Sequence, residues 1–213
     1  MTKIRTIALT LALVSSAPPF AAAADTSEKP APEKGFVWIF NDRSLDGWHI
    51  MNKGRFSVKD RTLFLNRGSG WLRSDKEYRD FELRMDFRFL NKGDNSGIFF
   101  RASKDGNNYP SKNYQVQTMD HPSLGSIYAA GLARPKEKKD ADLLKKTMKP
   151  AGEWQSYAIT VKGGRVEVKL NGQVITVADG LADVPGYIGI QGEGGQFEFK
   201  NIRIKEMNRG NGD

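Results

Sequence analysis

The stretch Phe81-Glu82-Leu83-Arg84-Met85-Asp86-Phe87-Arg88-Phe89 decides the fold class. Apolar and charged residues alternate along it with a period of two. Successive side chains of an extended chain point to opposite faces. Phe81, Leu83, Met85, Phe87 and Phe89 therefore line one face, and Glu82, Arg84, Asp86 and Arg88 line the other. A helix would scatter these apolar residues around its axis, so the stretch is a strand with one dry and one wet face.

The same period continues outward. Tyr157, Ile159 and Val161 alternate with Ala158 and Thr160, Gly163-Gly164 turns the chain, and Val166, Val168 and Leu170 form the next strand. Asn171-Gly172, both tolerant of positive φ, makes a hairpin turn into a return strand with Val174 and Thr176. Further strands are expected at 36–40, 55–58, 62–66, 71–73, 97–102, 114–119, 126–129, 187–191 and 196–205. The last changes parity between Phe197/Phe199 and Ile202/Ile204, which predicts a β-bulge near Lys200-Asn201. One helix is expected, from roughly Asp140 to Met148, inside a long insertion over 131–152. It serves either as a lid over a sheet face or as an ordinary decorated loop. The expected fold is all-β, a two-sheet antiparallel β-sandwich (jelly roll) with one short helix in an insertion.

The N-terminus is patterned for export. Lys3 and Arg5 precede an apolar run from Ile7 to Val14, and Ala22-Ala23-Ala24 supplies small residues before Asp25. The run is too short to span a membrane and is followed by Pro18-Pro19. The expected organisation is a signal peptide over 1–24, a Pro-rich flexible leader over 25–35, one domain over 36–206 and a disordered tail over 207–213. The destination is periplasmic or extracellular. The chain has no cysteine, so packing alone must hold it. Its net charge of +8 includes the two cations of the signal segment. The densest basic stretch, Arg134 to Lys149, contains Glu137, Asp140 and Asp142 and no interleaved aromatics, which argues against a nucleic-acid partner.

Three clusters carry candidate chemistry. In Asn95-Ser96-Gly97-Ile98-Phe99-Phe100-Arg101, strict alternation puts Gly97, Phe99 and Arg101 on one face. Arg101 is then part of a sugar subsite or of a surface ion pair. In Tyr114-Gln115-Val116-Gln117, the two glutamines form a ladder of donors and acceptors suited to hydroxyls, and Asp120-His121 follows at the strand end. That dipeptide offers a base, a metal ligand or a turn. In Gly189-Ile190-Gln191-Gly192-Glu193, Glu193 is either a loop acid or a catalytic carboxylate. Trp48, Trp71 and Trp154 stack on sugars or pack in the core. With His49 as the only other histidine, a multi-histidine metal centre is not expected.

Taken in order, several segments resemble a known family. They are Phe36-Val37-Trp38-Ile39-Phe40-Asn41-Asp42 with Leu45-Asp46-Gly47-Trp48, Asp80-Phe81-Glu82-Leu83, and Asn95-Ser96-Gly97-Ile98-Phe99-Phe100-Arg101. Tyr114-Gln115-Val116-Gln117 with Asp120, Ser126-Ile127-Tyr128, Gly152-Glu153-Trp154, Asn171-Gly172, Gly189-Ile190-Gln191 and Phe199-Lys200-Asn201-Ile202 continue the series. The family is the 3-keto-disaccharide hydrolase group, also described as 3-keto-glucoside 1,2-lyase and hydratase. The resemblance runs from about Gly35 to Glu206. It implies a concanavalin A-like jelly roll acting on 3-keto-glycosides, and for some members a divalent metal. It departs where the family's strand commonly has Glu and this chain has Gln115, and where Lys200 replaces an Arg.

Together these readings assign catalysis to Arg101, Asp120, His121 and Glu193, and substrate binding to Asn95, Gln115, Gln117, Tyr128, Trp154, Gln191 and Lys200. No metal ligands are assigned. The expected partner is an oligosaccharide or 3-keto-glycoside. The alternative is a non-catalytic, lectin-like carbohydrate-binding module, for which Gln115 speaks.

Overall fold

The structure, a computed structural model, describes residues 29–207. The expected signal peptide, the start of the leader and the tail after Met207 lie outside the described residues. In chain order the elements are β1 Val37–Trp38, β2 Trp48–Lys59, β3 Thr62–Tyr78, β4 Phe81–Phe89, β5 Asn95–Ala102, β6 Asn113–Met119, β7 Ile127–Ala130 and β8 Lys136–Lys139. Then come α1 Ala141–Thr147, β9 Gln155–Lys162, β10 Arg165–Leu170, β11 Gln173–Asp179, β12 Gly186–Gly192 and β13 Gln196–Glu206.

Strand β4 keeps the alternation that defines it: all five apolar residues are buried and the four charged ones are half-buried. Its neighbours extend a path of antiparallel strands in the order β7-β6-β5-β12-β3-β13-β4-β9-β10-β11-β8, with β2 paired to β3 and β1 to β13. The path folds over at β3. The first half of that strand, Leu63 to Asn66, pairs with β13, and the second half, Gly70 to Tyr78, pairs with β12. Between the halves Arg67 takes a positive φ of 57°. One strand thus serves both layers of a jelly-roll sandwich. The strands expected at 62–66 and 71–73 are thus parts of one element, which runs on through the positive φ at Arg67 and Gly68.

The core fills the space between the layers. Leu72, Ile98, Phe100, Tyr114, Val116 and Ile190 come from one sheet, and Leu83, Phe87, Tyr157, Ile159, Phe197 and Phe199 from the other. Each such side chain contributes about 1.5–3 kcal/mol through removal from water. The expected bulge is present: the β13–β4 register shifts between Lys200 and Arg203, Asn201 has φ 54°, and Ile202 and Ile204 turn inward with Phe197 and Phe199.

The insertion departs from its expected simplicity. Helix α1 is capped by Asp140, whose side chain accepts from the Leu143 N–H. Its buried Leu144 joins the main core, so the helix plugs the sandwich rather than acting as a lid. Strand β8 was not anticipated. Lys136-Glu137-Lys138-Lys139 has no apolar residue and is held to β11 by backbone pairing. Glu137 accepts the Ile127 N–H at 2.5 Å and Lys139 donates to Ser126 at 2.9 Å, so the free edges β7 and β8 meet. Residues 29–35, expected to be flexible, are also tied down. Glu33 pairs with Arg203 at 2.6 Å, Trp38 donates to the Pro30 carbonyl at 2.8 Å, and Lys29 reaches Asp42 at 2.6 Å. Among the described residues, no helix is long and apolar enough to cross a membrane.

Candidate functional site

The outer face of the sheet containing β2, the second half of β3, β12, β5, β6 and β7 collects the polar residues. Strand pairing sets them in rows. Arg73 lies opposite His49 and Gly189, Gly189 opposite Phe99, Phe99 opposite Gln115, and Gln115 opposite Tyr128. In the next row Met51 faces Trp71, Trp71 faces Gln191, and Gly97 faces Gln117. Asn95 faces Met119 at the strand ends, and Glu193 follows directly after β12.

Two glycines shape this face. A Cβ on Gly189 would lie 2.4 Å from the Trp71 ring, and one on Gly97 would lie 2.3 Å from the Gln115 amide nitrogen. Their absence lets Trp71 and Gln115 lie flat across the adjoining strands. Trp71 meets Phe99 edge-on at 5.9 Å, and Phe99 meets Tyr109 at 6.0 Å. Tyr109 comes from the β5–β6 loop and donates to the Gly192 carbonyl at 3.2 Å, while Asn52 holds the Asn108 carbonyl at 3.1 Å. The loop buries Trp71 and Phe99, which form a dry floor and are not open to stack on a sugar.

Beside that floor runs a continuous chain of side-chain amides. The Gln115 amide nitrogen donates to Gln117 Oε1 at 2.6 Å and to Gln191 Oε1 at 3.2 Å. Gln117 donates to Asn95 Oδ1 at 2.7 Å, and Asn95 donates to Glu193 Oε2 at 2.7 Å. Burial pushes the Glu193 carboxyl above its ordinary pKa. Burial, and then the charge of Glu193, push the Tyr109 phenol up as well. A half-buried carboxylate with a raised pKa and one ordered donor is equipped to take a proton from carbon.

The arginine expected here is elsewhere. Arg101 has a φ of 50°, and the β12 register with β5 shifts at this point. Phe99 and Ala102 share one cluster with Trp71, so the alternation breaks between them. Arg101 turns inward and is only 2% exposed. It donates to the carbonyls of Ala182 and, at 2.6 Å, Gly163, and lies 3.7 Å from Asp80 and 3.6 Å from Asp183. Strict period two cannot reveal an inserted residue, which is why the sequence put Arg101 on the wrong face.

Arg73 is the arginine that faces outward with the ladder, and the sequence reading passed over it. Its signal was present, since Arg73 shares parity with Trp71. Arg73 is 6% exposed, its guanidinium lies 4.3 Å from the Tyr187 ring, and it donates to the Ser74 carbonyl at 3.2 Å. Its buried Nε has no partner. Asp75, two residues along β3, pairs instead with His49 at 2.5 Å. Tyr109 was also missed, because nothing in a polar loop sequence says where the loop will fold back.

The remaining expected residues separate. Tyr128 stays at the edge of the face, 48% exposed. Asp120 accepts the Gly93 N–H at 3.1 Å and His121 accepts the Ser123 N–H at 3.1 Å. Both line a groove of about 730 Å³ against α1, with Leu144, Lys145 and Met148, and no ladder residue lines it. Trp154 and Lys200 lie on the outer face of the other sheet. There the Lys200 ammonium sits 3.9 Å from the Trp154 ring and Lys200 faces Asp86 on β4. Both leave the candidate site, because Lys200 alternates with the inward Phe199 on a strand of the second sheet.

The residues do not fit a divalent cation. Among those described, no three His, Asp or Glu side chains converge. The ladder has one carboxylate, and the amide oxygens of Asn95, Gln117 and Gln191 already accept N–H bonds.

Comparison with known proteins agrees with this architecture. The profile of the 3-keto-alpha-glucoside-1,2-lyase-like domain matches residues 35–205. A 3-keto-disaccharide hydrolase of Bacteroides thetaiotaomicron is 25% identical over 249 residues, covering 88% of this chain and 83% of that protein. Among solved structures, a candidate glycosyl hydrolase of Parabacteroides distasonis superposes with a TM-score of 0.64 at 20% identity, over 85% of this chain and 100% of that one. A carbohydrate-binding module from Bacillus subtilis superposes with a TM-score of 0.54 at 15% identity, over 75% of this chain and 96% of that one. The two superpositions speak for the fold, and the profile spans the whole sandwich. The chain belongs to the family of 3-keto-alpha-glucoside-1,2-lyase-like domains.

Proposed function

We propose that the protein is an exported carbohydrate-active enzyme that cleaves 3-keto-glycosides by elimination, with Glu193 as the base. The observation that carries this reading is a lone carboxylate, raised in pKa by burial and oriented by Asn95 at the end of an amide ladder. The ketone at C3 acidifies the proton at C2. Glu193 takes that proton, and the electron pair of the C2–H bond enters the ketone as an enolate. The enolate collapses to a C1–C2 double bond, the C1–O bond breaks, and the departing oxygen collects a proton. Water then adds across the double bond, which makes the net reaction a hydrolysis. The free Oε1 of Gln115 and the Arg73 guanidinium would supply an acceptor and donors to sugar oxygens, while the Gln191 amide is already engaged with Gln115 and the Tyr109 phenol. The family and the named activity of the Bacteroides relative support the substrate class.

The test is incubation of the purified protein with 3-keto-trehalose or a 3-keto-β-glucoside in D2O, followed by NMR. Deuterium entering C2 together with release of the C1 substituent is the expected result. Absence of both would overturn the proposal. For export, N-terminal sequencing of the periplasmic protein should begin near Asp25, and a chain that retains Met1 would refute it.

A second reading rests on Gln115, an amide where the family's strand commonly has Glu. The face would then bind glycans without turnover, and calorimetric binding with no deuterium exchange would favour it.

A further inference from the structure

We infer that the amide ladder is a reversible relay whose direction follows the proton on Glu193, and that Gln115 is the positioning residue that leaves it free to reverse. The inference rests on the reading of Glu193 as the base. An ionised carboxylate only accepts hydrogen bonds. Asn95 must therefore turn its NH2 toward Glu193 and its carbonyl toward Gln117. Gln117 must then donate to Asn95 and accept from Gln115. Each link fixes the next, and the observed bonds run in this one direction.

When Glu193 gains a proton it becomes a donor. Asn95 can then accept from it, and the amides can reverse by turning about their last side-chain bond, a soft rotation with near-symmetric shape. Reversal requires the far end to offer either NH2 or C=O. Gln115 can do both. A carboxylate at position 115 could only accept, so it would pull every amide NH2 toward itself. Asn95 Oδ1 would then face Glu193 Oε2, acceptor against acceptor, unless Glu193 held a proton. Gln115, Gln117 and Gln191 are buried, so water does not readily repair such a mismatch. The titratable group facing Glu193 from the β5–β6 loop is the Tyr109 phenol, and no cation pairs with Glu193 among the described residues.

The test follows the carboxyl carbon of Glu193 by 13C NMR across pH, assigned by its loss in Glu193→Gln. In the wild-type protein the side-chain amide protons of Asn95, Gln117 and Gln115 should all shift with the Glu193 midpoint. Movement of Asn95 alone would overturn the relay. Gln115→Glu should raise the midpoint by more than about one unit. Adding Gln117→Leu keeps the new charge but cuts the chain, and should return the midpoint most of the way. An unchanged midpoint in Gln115→Glu, or a raised one that survives Gln117→Leu, refutes the inference. If Gln115→Glu does not fold, the wild-type amide titration decides alone. These readouts need no turnover, so loss of the proposed activity and loss of the relay remain distinguishable.

Discussion

Two buried arginines flank β12, Arg73 on β3 and Arg101 on β5. Both are more than nine-tenths removed from water. Arg101 is enclosed by the Gly163 and Ala182 carbonyls and by Asp80 and Asp183. Arg73 has a neighbour's carbonyl and a tyrosine ring, and among the described residues no carboxylate pairs with it. Burial alone therefore does not assign a charged residue to structure or function. What decides is whether its charge is already paired within the fold. Arg101 ties β5 to the 163 turn and the 180–183 loop. Arg73 keeps capacity on the face that carries the ladder.

The comparison breaks most sharply at Arg101. Replacement by Met should destabilise the fold by about 3–5 kcal/mol, because Asp80 stays buried without its cation. Urea denaturation measures this, and the folded fraction should keep its specific activity. A stable, inactive Arg101→Met protein would return Arg101 to the site. Glu193→Gln should do the reverse, with a loss of about 10²- to 10⁴-fold in kcat and no loss of stability. The base works ionised and its pKa is raised by burial, so activity should fall as pH drops through a value above the ordinary carboxylate range. A rate profile flat down to pH 4 would contradict it. The same raised pKa means the folded state holds this proton more tightly than the unfolded chain. Its contribution to stability is thus present at low pH and lost as pH rises through the folded value. Arg73→Met should lower kcat/KM by roughly tenfold through one lost charged hydrogen bond, while leaving the urea midpoint unchanged or higher. A destabilised Arg73→Met protein with normal kinetics would make the two arginines alike.

Much of the fold was legible because alternation is a direct readout of a half-buried strand. Phe81 to Phe89, the Asn171-Gly172 turn and the bulge at Asn201 all follow from local parity. The polar ladder was partly legible for the same reason, since Asn95, Gln115, Gln117 and Gln191 keep their parity to the end. What failed were places where parity is interrupted or irrelevant. Arg101 follows an inserted residue, β8 is a charged edge held by backbone bonds, and Tyr109 arrives through loop closure. Lys200 and Trp154 were grouped with the site by motif order, which carries no information about which sheet a residue faces.

The smallest effect concerns a charge that is neither enclosed nor idle. Glu33 grips Arg203 through two short bonds, 2.6 and 2.7 Å, and Arg84 stands 3.4 Å away. The Arg203 hydrogen bonds hold its carboxyl down to about 2. Because the folded pKa is depressed, the contribution is present above the unfolded value of 4.5 and fades as pH falls from there toward 2. Glu33 is half exposed, so solvent screens most of it, and Glu33→Gln should cost less than about 1 kcal/mol at neutral pH. Its sharper signature is local: amide exchange at Phe36, whose N–H donates to the Glu33 carbonyl, should quicken while exchange in β4 does not. Equal acceleration in both would mean that residues 29–35 hold the sandwich together rather than rest upon it.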